Sequence, residues 1–174
     1  MKQSLLSAQR LREVLHYDPE TGVFTWLARP VTTHQVRTWN AKFVGSVAGS
    51  PNSGYCGVRI RGRLFYAHRL AWLYMTGEWP AAEIDHINGD PKDNRWSNLR
   101  AATPKQNQAN KRRQKNNTSG FKGVSWDKDA QNWRADIRVE YRHLALGYFN
   151  TPEEAHYAYC AAAKKHFGEF ARVA

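Results

Sequence analysis

Residues 83–113 constrain the fold of this chain more than any other segment. Two short strands are predicted there, at residues 83–87 and near residues 99–101, and the loop between them is polar. A helix should follow directly, because the chain there has an N-cap threonine, a proline at the first helical position and a capping-box glutamine. These residues are Thr103, Pro104 and Gln106. We expect this helix to run to about Arg113. The order strand, loop, strand and helix indicates an α+β fold.

The part of the chain before this segment is predicted to add a small elaboration of helices and strands. The expected elements are a helix at residues 5–15, a turn at 17–22, strands at 23–26, 42–47, 56–61 and 63–66, and a helix at 67–74. Residues 28–54 are rich in Gly, Ser, Thr, Asn and Pro, so we expect most of that stretch to be loop.

The last third of the chain has a different pattern. Residues 111–120 are basic and polar, which predicts a flexible linker. Strands should follow at residues 121–126, 133–140 and 142–149, and a second capping box predicts a helix from Thr151. The middle strand alternates between apolar and charged residues, so one face of this sheet should be core and the other exposed. Its apolar positions are Trp133, Ala135, Ile137 and Val139.

The charge of the chain favours a polyanionic partner. There are 26 Lys and Arg against 15 Asp and Glu, a formal net charge of +11 and a pI near 9.9. From Asn94 to Trp126 the chain has eight cations and no acid, which would create a sustained positive field. A face that is merely solvated is the alternative interpretation. Nucleic acid is the favoured partner, because cations set against phosphates release condensed counterions.

Other features bear on the location of the protein. We see no signal peptide and no run near the roughly 20 apolar residues that span a bilayer. Cys56 and Cys160 are far apart and have no partners at metal-ligand spacing, so we expect buried thiols in a reducing cytoplasm and no structural zinc. Neither a membrane nor a small-molecule substrate is predicted as a partner.

Asp85, His86 and Asn107 could together hydrolyse a phosphodiester. A histidine can take the proton of a water molecule near neutral pH, and a divalent cation can stabilise the leaving oxygen. Adjacent strand residues point to opposite faces, so Asp85 and His86 can approach a phosphate from different directions. Asn107 offers a second oxygen ligand from the following helix. Two protein oxygens, completed by water and phosphate, suit Mg²⁺ (or Mn²⁺) better than Zn²⁺.

Several stretches strongly resemble the HNH endonucleases, particularly phage homing enzymes. They are residues 67–72 (AHRLAW), 84–90 (IDHINGD), 93–100 (DNRWSNLR) and 106–110 (QNQAN), with residues 17–26 (YDPETGVFTW) at the front. The resemblance implies a ββα-metal fold, with a nuclease domain at 1–115 and its core at 67–115. His86 would be the general base and Asp85 a metal ligand. Asn98 would be the central asparagine that braces the loop, and Asn107 the second metal ligand.

Neighbouring basic residues are further candidates for the nuclease site. In the resembling proteins His68 would lie on a supporting helix, so we expect a structural or phosphate-contacting role more than catalysis. Arg69 and Arg100 could clamp phosphate. Either arginine could instead pair with an acid, namely Glu78, Glu83 or Asp90. In the basic linker, DNA contacts are predicted for Arg112, Arg113 and Lys115.

The C-terminal stretches are similar to the ethylene-response-factor (APETALA-type) DNA-binding domain. They are residues 119–126, 133–138, 146–155 and 158–163. The resemblance implies a three-stranded antiparallel sheet packed on one helix, over residues 120–174, with the sheet in the major groove. By position, the residues that would face DNA are Lys122, Ser125, Arg134, Arg138 and Arg142, with Trp126 stacking on sugar. Lys122 and Ser125 stand where the plant proteins tend to have arginines, so base preference does not transfer.

Together these observations predict a sequence-directed, Mg²⁺-dependent endonuclease of double-stranded DNA, in a bacterial or phage-infected cell. With one active site per chain, the monomer should cut one strand and so nick DNA. The chain is predicted to act as a phage homing enzyme. One alternative is a non-catalytic DNA-binding regulator that retains a nuclease scaffold. A nuclease acting on RNA is disfavoured by the major-groove module. The target site and the oligomeric state stay open.

Overall fold

The structure is a computed structural model that describes residues 6–113, 116–140 and 142–173. The chain divides into two units, one ending at Ala101 and the other beginning at Ala102. Lys115, one of the predicted DNA contacts, and the first residue of the helix predicted at 5–15 lie outside the described residues.

The first unit consists of short helices and antiparallel strand pairs around one apolar core. Its elements are α1 (Ala8–Val14), β1 (Leu15–Asp18), β2 (Val23–Trp26), α2 (His34–Phe43), β3 (Ser50–Asn52), β4 (Tyr55–Ile60), β5 (Arg63–Tyr66), α3 (Ala67–Thr76), β6 (Glu83–His86), a short 3₁₀ helix (Trp96–Asn98) and β7 (Leu99–Ala102). β1 and β2 form an antiparallel hairpin, β3, β4 and β5 form an antiparallel sheet, and β6 pairs with β7. Leu11, Leu15, Val58 and Leu70 are fully buried in the core.

Two predictions are wrong in the region of helix α2. The structure places a ten-residue helix in the stretch expected to be mostly loop, and the strand expected at 42–47 is absent from the described residues there. Thr33 starts the helix, because its side chain accepts a hydrogen bond from the backbone N–H of Val36 at 3.3 Å. No residue of α2 is fully buried. Its apolar side chains, Val36, Trp39 and Phe43, lie at helical spacing and are half-buried, and the ring of Trp39 contacts that of Trp26 in β2.

The second unit is a three-stranded antiparallel sheet covered by a long helix, as predicted. Its elements are α4 (Pro104–Ala109), β8 (Val124–Asp127), β9 (Asn132–Val139), β10 (Arg142–Phe149), α5 (Pro152–Phe167) and a 3₁₀ helix (Gly168–Phe170). The strand order is β10-β9-β8, and both Thr103 and Thr151 form capping boxes. α4 is shorter than predicted and ends at Ala109, because the next four residues are polar or basic and offer no apolar side chain to continue its packing.

The faces of the sheet follow the predicted alternation. Ala135 and Ile137 of β9 are buried, and the helix-side partners are Ala155, Tyr159 and Ala163 of α5. Among the helices of the described part, none is long and apolar enough to cross a membrane. Cys56 and Cys160 form no disulfide, and both are half-buried where full burial was expected.

Candidate active site

The first unit concentrates buried polar side chains at one place. His68, Asp85, His86, Asn94 and Asn98 are all at least nine-tenths buried. Burying polar groups costs free energy unless they are hydrogen-bonded, so such a cluster is retained in a fold for a specific reason. It surrounds the end of β6, where the sequence predicted the catalytic pair.

Asp85 is held by an arginine from the paired strand. Its side chain is 4% exposed, and Arg100 donates to the Asp85 Oδ2 from both Nε and a terminal guanidinium nitrogen, each at 2.9 Å. A buried carboxylate requires such compensation, because removing two charges from water is favourable only with close pairing. Arg100 was predicted to contact phosphate or another acid, and its pairing with Asp85 was not predicted.

His86 faces the side chain of Asn94. The distance from His86 Nε2 to Asn94 Oδ1 is 3.4 Å. Asn94 Nδ2 donates to the carbonyl oxygen of Lys92 at 3.1 Å, which leaves Oδ1 as the atom turned towards the imidazole. Burial lowers the pKa of His86, against the opposing effects of the Asn94 hydrogen bond and of nearby carboxylates. The neutral imidazole is therefore favoured, and this is the form that can accept a proton.

His68, the second residue of α3, contacts the same imidazole. The ring centroids of His68 and His86 are 5.2 Å apart with the planes at 78°. The His68 ring also stacks on Tyr66 and lies 5.2 Å from the ring of Tyr55. Its Nδ1 is buried without a hydrogen-bond partner in the described structure. Burial, followed by the nearby His86, lowers the pKa of His68 to about 3, so this histidine is neutral.

Asn98 ties together the two ends of the loop between β6 and β7. Its Nδ2 donates to Asn88 Oδ1 at 3.1 Å and to the carbonyl oxygen of Asp93 at 2.7 Å. Its Oδ1 accepts from the backbone N–H of Asn88 at 2.9 Å, and its carbonyl accepts from Ile87 at 2.9 Å. These bonds give Asn98 the bracing position that the resemblance implied, while a part in catalysis stays a prediction.

The two side chains predicted to bind a metal ion carry the oxygen donors that a hard cation prefers. The carboxylate of Asp85 lies at the end of β6, and Asn107 lies on α4 of the second unit. Carboxylate and amide oxygens are the ligand types that Mg²⁺ and Mn²⁺ prefer. Within residues 6–113, 116–140 and 142–173, no group of three or more His, Cys, Asp and Glu side chains is placed to hold a metal ion. The assignment of both residues as metal ligands stays a prediction.

In the second unit, the strand register defines one exposed polar face. Ser125 of β8, Arg134 of β9 and Tyr148 of β10 lie opposite one another, and Arg138 lies opposite His143. Residues directly opposite on neighbouring strands share a face, and this one is opposite to the face carrying Ala135 and Ile137. Three predicted DNA contacts therefore share a surface. His143 and Tyr148 were missed, although the alternation of β10 could have indicated them.

The remaining predicted contacts of this unit lie elsewhere. Arg142 is opposite Val139 and Trp126 is opposite Trp133, on the face that carries Ile137. The Lys122 ammonium donates to the carbonyl oxygens of Ala109 and Lys111, both at 2.7 Å, at the end of α4. Burial, then the nearby Arg172, lowers the pKa of Lys122 to about 8. The register therefore places Arg142 and Trp126 on the face of the sheet opposite to Arg134, and the two hydrogen bonds direct the Lys122 ammonium to the end of α4. The contact of all three side chains with DNA stays a prediction.

Three further predicted contacts are on the surface or beside it. The guanidinium of Arg69 lies 6.0 Å from the ring centroid of Trp79. Arg112 and Arg113 are exposed, and Arg113 donates to the carbonyl oxygen of Asn117 at 3.2 Å. None of these positions tests a phosphate contact.

Comparisons with known proteins agree with both resemblances. A family model described as HNH endonuclease matches residues 65–109, and one described as AP2 domain matches residues 119–169. Protein 3.8 of Escherichia phage T7 is 36% identical over 106 residues, which cover 60% of this chain and 87% of that protein. No solved structure matches the chain.

Proposed function

We propose that this chain, which belongs to the HNH endonucleases and carries a C-terminal AP2 domain, hydrolyses phosphodiester bonds of double-stranded DNA with the help of Mg²⁺ or Mn²⁺. The observation that carries the proposal is the buried pair at the end of β6. Asp85 is a compensated carboxylate, and His86 beside it is kept neutral by burial. A neutral base next to a hard anionic ligand is the combination that metal-assisted hydrolysis requires.

Each residue of the site has a separate proposed role. His86 accepts the proton of the attacking water. Asn98 stabilises the loop between β6 and β7 by its hydrogen bonds. Asp85 and Asn107 would hold the cation, which when bound supplies positive charge to the phosphate and to the leaving oxygen. Arg100, which already neutralises Asp85, would also contribute charge near the phosphate.

The exposed face of the second unit would select the DNA. Ser125, Arg134 and Arg138 would contact base edges, since a sheet can enter the major groove. Other cations would position the backbone, because phosphate contacts fix register while base contacts specify sequence. These are Arg69, Arg112, Arg113, Lys115, Lys122 and Arg142.

One active centre per chain should cut one strand, so the proposed product of the monomer is a nick. We propose that the protein acts as a homing endonuclease. Its proposed location is the cytoplasm of a bacterial or phage-infected cell. The phage origin of the similar Protein 3.8 supports the phage part of this setting. Sequence-directed cutting is expected because the chemistry and the reading face belong to different parts of the chain.

The deciding experiment is cleavage of phage genomic DNA and supercoiled plasmid with Mg²⁺ or Mn²⁺. The controls are EDTA, His86→Ala, and His34→Ala, which removes an exposed histidine of α2. We expect metal-dependent nicking that His86→Ala reduces by orders of magnitude and His34→Ala leaves unchanged, with DNA binding nearly intact in both variants. Tight binding without cutting on any DNA would favour the alternative, a DNA-binding regulator on a nuclease scaffold. Normal cutting by His86→Ala would refute the role of His86.

A further inference from the structure

The β1–β2 hairpin, with residues 17–22 (YDPETG) at its turn, contains none of the residues assigned to the chemistry. Its turn is stiff. Asp18 accepts hydrogen bonds from the backbone N–H of Glu20 at 2.9 Å and from the hydroxyl of Thr21 at 2.7 Å. The N–H of Gly22 donates to the carbonyl oxygen of Asp18 at 2.8 Å. A turn closed by its own side chains keeps one shape, so it can hold a neighbour in place.

The hairpin contacts the backbone next to Asn94 in three ways. The buried hydroxyl of Tyr17 donates to the carbonyl oxygen of Asn94 at 2.7 Å. The N–H of Trp96 donates to the carbonyl oxygen of Pro19 at 2.9 Å. Gly22 adopts φ +73°, and a β-carbon there would lie 2.4 Å from the carbonyl carbon of Asn94. The turn therefore lies directly against the peptide that carries Asn94, with no room for a side chain.

Asn94 in turn contacts the proposed base. Its Oδ1 lies 3.4 Å from His86 Nε2, and its amide cannot rotate freely because Nδ2 is bound to the carbonyl oxygen of Lys92. An oxygen at this place accepts only from a protonated Nε2. The contact therefore selects the tautomer in which Nδ1 carries the lone pair.

We propose that the β1–β2 hairpin is a positioning element of the nuclease centre, which holds Asn94 so that Asn94 fixes the tautomer and the orientation of His86. Asn94 and Tyr17 are then positioning residues, since neither is assigned a contact with substrate. This inference rests on the proposed function for its effect on cleavage. The effect on the histidine itself can be measured without any cleavage.

The variants remove one link of the contact at a time in the full-length protein. Asn94→Ala removes the acceptor and Asn94→Asp keeps an oxygen there. Tyr17→Phe removes the hydroxyl, and its matched control is Tyr74→Phe, in a ring that contacts the ring of Tyr17. Gly22→Ala forces the turn away from Asn94. Its control is Gly45→Ala, at a similar φ of +78° with nothing within 4 Å of the new carbon.

Two measurements separate positioning from folding. With ¹⁵N-labelled histidine, NMR reports which nitrogen of His86 carries the proton, and loss of the signals in His86→Gln assigns them. Cleavage kinetics give kcat and KM separately. For Asn94→Ala we expect a measurable population of the Nδ1-protonated tautomer and a kcat lower by about tenfold or more, with KM little changed. Tyr17→Phe and Gly22→Ala should shift the tautomer in the same direction, Asn94→Asp should retain the Nε2-protonated form, and both controls should match the wild type.

The outcomes are distinguishable. An unchanged tautomer and an unchanged kcat in Asn94→Ala, in a variant that unfolds at the wild-type denaturant concentration, would overturn the proposal. A changed tautomer in Asn94→Ala but not in Tyr17→Phe or Gly22→Ala would overturn the part assigned to the hairpin. The expected tautomer shifts with no cleavage by the wild type would refute the proposed function and support the positioning of His86 by Asn94.

Discussion

The two units of the chain bury different kinds of side chain. Five of the six buried polar residues of the described structure lie in the first unit, around the end of β6. The sheet of the second unit instead buries small and apolar residues against α5, among them Ala135, Ala155 and Ala163. Its polar side chains lie on the exposed face. The first arrangement fixes polar side chains in place at a cost in stability, whereas the second leaves charged side chains exposed to solvent, where the proposed DNA contacts would form.

This difference predicts two kinds of mutational response. Substitutions at the polar cluster should change stability and reaction together, because each side chain there holds another. Substitutions on the exposed face of the sheet should change DNA affinity while the free energy of unfolding stays nearly constant.

Removing the partner of the buried carboxylate should be the most damaging change. In Arg100→Met we expect the free energy of unfolding of the first unit to fall by about 3–5 kcal/mol, because Asp85 would remain buried without its compensating charge. The matched control is Arg95→Met. Its ion pair with Asp93 has an arginine side chain that is 51% exposed, and such surface pairs contribute about 0–1 kcal/mol. Urea unfolding measures both, and equal losses in the two variants would show that the Asp85 site is effectively solvated.

The second unit should respond most strongly to apolar overpacking. Gly123 adopts φ +73°, and a β-carbon there would lie 2.1 Å from Tyr159 of α5. Gly123→Ala should destabilise this unit by about 2–4 kcal/mol, from the clash and the left-handed backbone together. Gly120→Ala, at φ +83° with nothing within 4 Å, isolates the backbone contribution of about 1 kcal/mol. If the two variants unfold alike, then Tyr159 moves aside without cost.

The sequence was informative about the second unit because its signals are local. Alternation along β9 assigned Ala135 and Ile137 to the core, and the capping box at Thr151 marked the start of α5. Both depend on residues within a few positions of one another. α2 was not predicted, because its few apolar side chains are only half-buried and lie in a stretch rich in Gly, Ser, Thr, Asn and Pro.

The candidate site was predictable only in part. Asp85, His86 and Asn98 stand out through their resemblance to a family motif. Asn94 does not, because its significance depends on Tyr17, which is 77 positions away and reaches its carbonyl oxygen. The contact of His68 with His86 likewise joins α3 to β6. Contacts between segments that are distant in the sequence cannot be predicted from local periodicity.

The exposed face of the second unit should affect binding and not folding. Arg134→Gln and Arg138→Gln should each weaken DNA binding by about tenfold, as expected for the loss of about 1–3 kcal/mol from one contact. Their free energies of unfolding should stay within about 0.5 kcal/mol of the wild type. The control is Lys164→Gln, an exposed position in the last turn of α5. Fluorescence anisotropy at several salt concentrations measures affinity. If Lys164→Gln weakened binding as much, general charge and not this face would account for the affinity.

The polar cluster should also make the first unit sensitive to acid. Burial lowers the pKa of His68 from 6.5 to about 3, so below pH 6.5 the unfolded chain binds a proton that the folded chain does not. Stability is therefore complete above pH 6.5 and declines as the pH falls towards 3. Between about pH 7.5 and about pH 5.5 this histidine should account for a loss of about 1 kcal/mol in the free energy of unfolding.

His68→Phe tests this smallest effect, since a phenyl ring can keep the contacts with Tyr55 and Tyr66 but cannot be protonated. Urea unfolding at the two pH values should show a smaller loss than in the wild type. The loss should not vanish, because burial also lowers the pKa of His86. His34→Gln, at an exposed position of α2, should keep the wild-type dependence. An unchanged loss in His68→Phe would mean that the cluster around His68 is open to water, and the contrast between the two units would then be smaller than their burial indicates.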